Sequence, residues 1–369
     1  MNILYDYQVF SWQKYGGISR YFCETASRIA KVDGNKIEII APFYINEYFH
    51  DNSNVRAYGI KIPQLPRSSF MVSTANEAVS RFLLKPRQNV DIFHETYYST
   101  ADNCPRSAKR IITVYDMVHE KFAATFPLWD KTRQNKVYAV NRADHVICIS
   151  ESTRRDLIEL LEVPKEKISV VYLGHSFVLN EKVSSLPTVC KRPYILYVGD
   201  RNKYKNFEGM LRAFASSKLL INEFSIVCFG GGRFDSRELA LMASLNIPTE
   251  SIKHECGNDE ILASLYASAA AFVYPSLYEG FGIPPLEAMS FGCPVVSSNT
   301  SSLPEVVGDA AEMFDPANEA EMCAAIEQVV SSPVKTQQLV VRGYERIKNF
   351  SWEKCAQDTL DVYKKVLQG

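Results

Sequence analysis

Residues 272–298 read FVYPSLYEGFGIPPLEAMSFGCPVVSS, and their reading decides the fold. The apolar run Ala269–Tyr274, closed by Pro275, has the make-up of a buried strand. Pro275–Gly282 is a loop of small residues with two glycines. Pro284-Pro285 then opens a helix, since proline lacks only an N–H that the first turn would leave without a partner. This helix carries Leu286, Glu287, Ala288 and Met289 and stops near Gly292; Pro294–Ser297 is the next buried strand. Strand, loop, helix and strand in that order make one unit of a parallel sheet.

The loop suits an anion. The N–H groups of Gly280, Phe281 and Gly282 stand just before a helix N-terminus, the positive end of the helix dipole. Glu279 and Glu287 flank the loop with seven residues between them. Carboxylates beside a bare phosphate would repel it. Ionised carboxylates are acceptors only, so they fit a ligand that also presents hydroxyls. Phosphate together with sugar hydroxyls describes a nucleotide sugar. The glutamate spacing alone equally describes a solvated loop residue and a helix-face residue; the flanking loop gives it weight.

With its flanks, YEGFGIPPLEAMSFGCPVV (278–296) followed by SNTSSLPEVVGDAAEMFDP (298–316) resembles the signature of retaining glycosyltransferases of family 4. The resemblance covers most of the C-terminal half and patches of the N-terminal half. It implies an α/β chain of GT-B architecture, with two Rossmann-like doubly wound domains facing a central cleft and a last helix crossing back to the first domain. The composition turns polar and serine-rich over Phe177–Arg192, which marks a linker. The expected organisation is an acceptor domain at 1–177, a linker at 178–192, a nucleotide-sugar domain at 193–350 and a crossover helix at 351–369.

Length and composition agree with a two-domain globular protein. The chain has 369 residues, 46% hydrophobic and 22% charged, and a net charge of −1, so charge makes no case for nucleic acid. Residues 1–177 hold 23 Lys+Arg and 19 Asp+Glu, leaving 18 and 23 for the rest. The first half is mildly basic, as suits an acceptor near an anionic membrane. Nine cysteines lie scattered without metal-ligand spacing, several in apolar runs such as Cys148 and Cys228, as in reduced cytoplasmic proteins. No signal peptide and no run of 18 apolar residues is visible. The expected place is the cytoplasm, with the inner face of the plasma membrane open to it. The segment 68–87 reads as an amphipathic helix with Arg81, Lys85 and Arg87; packing on its own domain and resting on anionic lipid both fit.

In chain order, Asn2–Val9 reads as the first strand, followed by a loop with Gly16-Gly17 and a helix over Ile18–Lys31. A Gly-Gly pair between strand and helix lets a ligand approach the backbone, or marks a turn needing positive φ. In the family resembled it lines the cleft near donor phosphate and acceptor; Arg20 is a secondary acceptor-side candidate. Residues 44–69 have no clean period, and the acceptor site is expected within 44–100. Strands at Val90–His94 and Arg110–Tyr115 each deliver a histidine at or just past the end, His94 and His119. For His94 a structural role and an acceptor-side role stand level; His119 is favoured as functional. The family carries a His-Asp pair after the second of these strands. Here Tyr115 replaces that histidine before Asp116, which leaves open whether Asp116 or His119 touches the donor sugar.

In the second half, Tyr194–Val198 is a strand and Arg201 and Lys205 lie on the loop that follows. The family's basic pair neutralises the leaving pyrophosphate and maps onto these two. The segment Cys256, Gly257 and Asn258 maps onto backbone contacts with the base. Glu287 is expected at the ribose, Glu279 at a hydroxyl of the donor sugar, and Gly280–Gly282 at the diphosphate. No D-x-D triplet is present, and no metal or cofactor is expected beyond the nucleotide-sugar co-substrate. The resemblance favours a GDP-mannose-type donor and a glycan or lipid-linked glycan acceptor in surface-polysaccharide synthesis. A sugar-nucleotide epimerase of the same fold and an idle scaffold subunit are the alternatives; retention of Glu279, Arg201 and Lys205 speaks against the scaffold.

Overall fold

The computed structural model describes residues 1–49, 55–63, 69–175, 190 and 192–369, with residues 69 and 70 by their backbone alone. The strands run β1 (Asn2–Tyr5), β2 (Lys36–Tyr44), β3 (Val55–Lys61), β4 (Ile92–Glu95), β5 (Lys109–Val114), β6 (His145–Cys148) and β7 (Ile168–Val170). They continue as β8 (Tyr194–Val198), β9 (Ser225–Phe229), β10 (Ile252–Glu255), β11 (Ala271–Tyr274), β12 (Val295–Ser298) and β13 (Ala311–Phe314). They form two sheets, in the orders β3-β2-β1-β4-β5-β6-β7 and β10-β9-β8-β11-β12-β13. Every described pairing is parallel. Strands covered on both faces are buried at successive residues, as β6, β11 and β12 are throughout, and β11 reads as an unbroken apolar run.

The two sheets belong to separate units, Met1–Gly174 with Trp352–Gly369, and His175–Ser351. The last helix, Trp352–Gln368, therefore belongs to the first unit. Tyr363 ties it there: its hydroxyl lies 3.1 Å from that of Tyr5. Arg28 Nε donates to Glu353 at 2.8 Å. Of the expected linker 178–192, positions 178–189 and 191 lie outside the described residues.

Three local expectations are corrected. The first strand ends at Tyr5, and Gln8–Trp12 is a short helix. Asp6 turns the chain there, accepting from Thr96 N at 2.9 Å and from Gln8 Nε2 at 2.7 Å. The segment without period contains β3, an edge strand exposed over most of its length, so burial leaves no pattern to read. β13 closes the second sheet, where the sequence reading places no strand. The helix expected over 68–87 spans Ser69–Leu84 and exposes Met71, Phe82 and Leu83.

Candidate functional site

Each sheet reverses its winding between its first and fourth strands, and ligands of such sheets bind outside the strand C-termini at that reversal. In the second unit the reversal lies between β8 and β11, which pair side by side. The loops leaving these strands meet there. Lys205 Nζ, on the loop after β8, donates to Glu279 Oε1, on the loop after β11, at 2.7 Å. The side chains keep 19% and 11% of their surface, so the pair is shielded yet open on one side. Burial opposes the charged ammonium, but Glu279 outweighs it and holds the Lys205 pKa above its ordinary value.

The loop that carries Glu279 is braced from three directions. Glu279 N donates to Ser301 Oγ at 2.9 Å. The Ser302 hydroxyl shares its proton between the carbonyls of Glu279 and Phe281, both at 2.9 Å. Leu277 N donates to Tyr204 O at 2.7 Å, stapling the loop to its neighbour. Gly282 caps the helix Ile283–Ser290 with φ 101° and Pro in the first turn. A Cβ at Gly282 would stand 2.7 Å from Leu303 Cδ2, so both backbone and space demand glycine. Phe281 turns inward, edge-on to Phe350 at 5.7 Å. Glu287 sits within that helix, buried, and Tyr266 Oη donates to its Oε2 at 3.2 Å. Burial, then Glu287, pushes the Tyr266 pKa well above its ordinary value, keeping the phenol a donor.

Arg201 and Lys205 do not form the expected matched pair. Arg201 Nε donates to Glu238 at 2.5 Å, and Nη2 donates to Gly232 O at 2.8 Å. Its guanidinium stands 4.9 Å from the Phe234 ring centroid. Gly230, Gly231 and Gly232 all take positive φ, and Arg201 donates to the carbonyls of Gly230 and Gly232. Arg201 thus organises the glycine turn, while Lys205 faces Glu279. Gly257 and the exposed Cys256 follow β10, and Asn258 caps the next helix by accepting from Ile261 N at 3.2 Å.

In the first unit the reversal lies between β1 and β4. Gly16 has φ 176°, extended backbone open to any residue, and Gly17 is not among the positive-φ glycines, so the pair is no left-handed turn. A Cβ at Gly17 would meet nothing within 4 Å, and the helix Gly17–Ile29 starts against open space. Arg20 Nη2 donates to Tyr48 Oη at 2.8 Å.

His94 is corrected from acceptor-side candidate to core residue. It is fully buried; Nδ1 lies 2.6 Å from Tyr363 Oη and Nε2 lies 2.9 Å from Thr113 Oγ1. Burial lowers its pKa to about 3, so it stays neutral. Tyr115, at the family's histidine position, is also buried and donates to Thr96 O at 2.8 Å. Asp116 stays partly exposed, with Oδ1 accepting from Val118 N at 3.0 Å. His119 stacks on Phe126 with ring centroids 4.0 Å apart, and its Nε2 lies 3.6 Å from Asp130 Oδ2.

Sequence reading missed the supports of this loop. Lys136 is fully buried and donates to Asp116 O and Glu120 Oε2, each at 2.7 Å. A lysine inside a largely polar helix carries no mark of an inward partner, so no sequence signal separates it from a surface lysine. Asp6, Glu95 and Asp130 were equally unmarked; only Asp6 and Glu95, at the ends of β1 and β4, stood where a strand-end rule could flag them. Among the described residues no group of side chains is arranged to hold a metal ion, and no helix is long and apolar enough to cross a membrane.

Comparison with known proteins fits this architecture. Residues 15–176 match the family model Glycosyltransferase Family 4, and residues 180–346 match Glycosyl transferases group 1. The chain is 29% identical to the O-antigen chain mannosyltransferase B of Escherichia coli, over 94% of this chain and 96% of that protein. It is 28% identical to the O-antigen chain mannosyltransferase RfbU of Salmonella typhimurium, over 64% and 65%. Among solved structures, sucrose-phosphate synthase from Thermosynechococcus elongatus superposes with a TM-score of 0.79 at 19% identity, covering 100% of this chain and 99% of that one. Anabaena HepE in complex with UDP-glucose superposes with a TM-score of 0.74 at 15% identity, covering 99% and 100%. The two Rossmann-like units are those of the GT-B fold. The chain belongs to family 4 of the glycosyltransferases.

Proposed function

We propose that this glycosyltransferase moves a mannosyl residue from GDP-mannose, with retention of configuration, to a glycan or lipid-linked glycan of a surface polysaccharide. The observation that carries the reading is the Lys205–Glu279 pair set across the β8/β11 reversal, beside a helix that begins at Gly282. Lys205 supplies the cation for charge growing on the leaving diphosphate, in place before the reaction and therefore without reorganisation. Glu279 accepts from a sugar hydroxyl and Glu287 from the ribose. Arg201 acts by holding the 230–232 turn beside them. Asp116 and His119 offer polar groups on the first unit's loop, and Gly17 leaves open space at the start of a helix. The acceptor hydroxyl attacks on the face the diphosphate leaves, and a diphosphate oxygen takes its proton. The C–O bond to the diphosphate breaks as the new glycosidic bond forms, so charge and protons balance without a metal. The mannosyltransferase relatives support the sugar. The exposed Met71, Phe82 and Leu83 beside Arg81 and Lys85 support contact with an anionic membrane where a lipid-linked acceptor resides.

A UDP-sugar is the second reading, because HepE is seen with UDP-glucose. Calorimetric titration with GDP, UDP and ADP, without divalent metal, separates the two. Micromolar GDP binding that Glu287→Ala abolishes is expected. UDP binding alone would replace the donor, and binding by none of the three would overturn the site. Proton NMR of the first-formed product reads the anomer and tests retention.

A further inference from the structure

We propose that Trp12 and Tyr15 form an aromatic platform on which the acceptor glycan stacks. The proposal rests on the glycosyltransferase reading above and adds where the acceptor binds. Both residues lie on the segment between β1 and the helix Gly17–Ile29, at the C-terminal edge of the first sheet. Trp12 is 44% exposed and Tyr15 62% exposed. Neither ring hangs free. Trp12 stands edge-on to Tyr97, centroids 5.0 Å apart, and Tyr15 stands edge-on to Tyr48 at 5.7 Å. The backbone between them is anchored, with Asn46 Nδ2 donating to Gln13 O at 2.6 Å and Glu47 N donating to Lys14 O at 2.9 Å.

Position points to the sugar that reacts. Tyr97, behind Trp12, lies parallel to Tyr115 at 6.2 Å, and Tyr115 leads directly into Asp116. Trp12 is thus one ring away from the Asp116 loop. Tyr15 stands on the Tyr48–Arg20 side. Two rings separated by polar Gln13 and Lys14 suit a pyranose better than a lipid tail or an apolar protein face. A pyranose offers a C–H face to an aromatic ring and a rim of hydroxyls to polar neighbours. The space over Gly17 is open to receive it. The terminal sugar stacks on Trp12 and the preceding one on Tyr15, so the platform prefers an oligosaccharide to a monosaccharide.

The chain has three tryptophans, and Trp352 is buried, so in a Trp129→Phe background Trp12 is the one exposed indole. Its emission is followed during titration with methyl α-mannoside, mannobiose and mannotriose. A saturable change is expected, about ten-fold tighter for the trisaccharide than for the monosaccharide. A further Trp12→Phe change should keep mannotriose binding by calorimetry, Trp12→Ala should lose it, and Tyr15→Ala should abolish the preference for the longer sugar. GDP titration of the same samples is the control: donor binding intact in Trp12→Ala shows that its fold and donor site survive. Emission unmoved by all three sugars, or calorimetric mannotriose affinity unchanged in Trp12→Ala, overturns the platform. Loss of GDP binding in the parent protein overturns the proposed function instead.

Discussion

The two sheets share one winding order, and their reversal points have been put to different uses. At β8/β11 the loops leaving the strands carry a cation and a carboxylate that face each other across the reversal, Lys205 and Glu279. At β1/β4 the residues just past the strands are Asp6 and Thr96, and they close on each other: Thr96 donates to Asp6 from both backbone and hydroxyl. Asp6 is buried among these donors, and Glu95 beside it is buried against Arg142, whose Nη2 donates at 2.6 Å. The fold supplies a crevice at both reversals, but the side chains decide whether it stays open to a ligand. In the first unit the accessible chemistry has moved outward, to the Asp116–His119 loop and the Trp12–Tyr15 segment.

This contrast can be broken by measurement. The largest effect is expected at the open reversal: Lys205→Ala should lower kcat about 10²- to 10³-fold, as removal of one preorganised donor does elsewhere. Steady-state kinetics with a saturating acceptor reads it, and a loss below ten-fold removes Lys205 from the chemistry. At the closed reversal His94→Ala should leave nucleotide affinity unchanged. It should lower stability by about 2–4 kcal/mol, because it opens a cavity and strips Tyr363 and Thr113 of a partner. Urea unfolding checks the first unit and calorimetry the donor site; a shift in GDP affinity would show that the core histidine communicates with catalysis.

The buried groups of the first unit also set a pH signature. Burial, opposed by Arg142, lifts the Glu95 pKa to about 7 from an ordinary 4.5. Between those values the folded chain holds a proton that the unfolded chain has released, so stability falls as pH rises through the window. His94 acts in the opposite sense. With its pKa at about 3 against an ordinary 6.5, the unfolded imidazole takes up a proton below about pH 6.5 that the folded one refuses. Stability then falls as pH drops. Between about pH 4.5 and 6.5 the two slopes oppose each other, so Glu95→Gln should unmask the His94 slope, making stability rise with pH across that window, and remove the decline that Glu95 causes between about pH 6.5 and 7. At most one proton, about 1.4 kcal/mol per pH unit, is at stake; urea midpoints across pH 4–8 that are identical in the variant would remove Glu95 from the account. The smallest effect belongs to Ser302→Ala. It should cost about 1 kcal/mol by unfastening the Glu279 and Phe281 carbonyls, seen as a lowered melting temperature with kcat reduced only a few-fold.

Much of the second unit was legible because its site is local in sequence. Glu279, Gly282 and Glu287 sit on one strand–loop–helix unit, and the glycine and prolines announce the turn that carries them. The first unit was harder. Its edge strand β3 has no buried face to read, and its histidines looked alike at strand ends. Only the partners separate them: His94 meets Thr113 and Tyr363, the latter 269 residues further on, while His119 meets Asp130. The Arg201–Glu238 pair was hidden for the same reason, since Glu238 lies 37 residues away.

The sequence by itself determined the alternation of buried strands and helices, the two-unit fold and the family, because apolar periodicity and turn residues act over short stretches. The tertiary structure decided which ionisable groups are buried and paired and which face a ligand. That choice depends on neighbours brought together by parallel strand order, and desolvation acts only once those neighbours are in place.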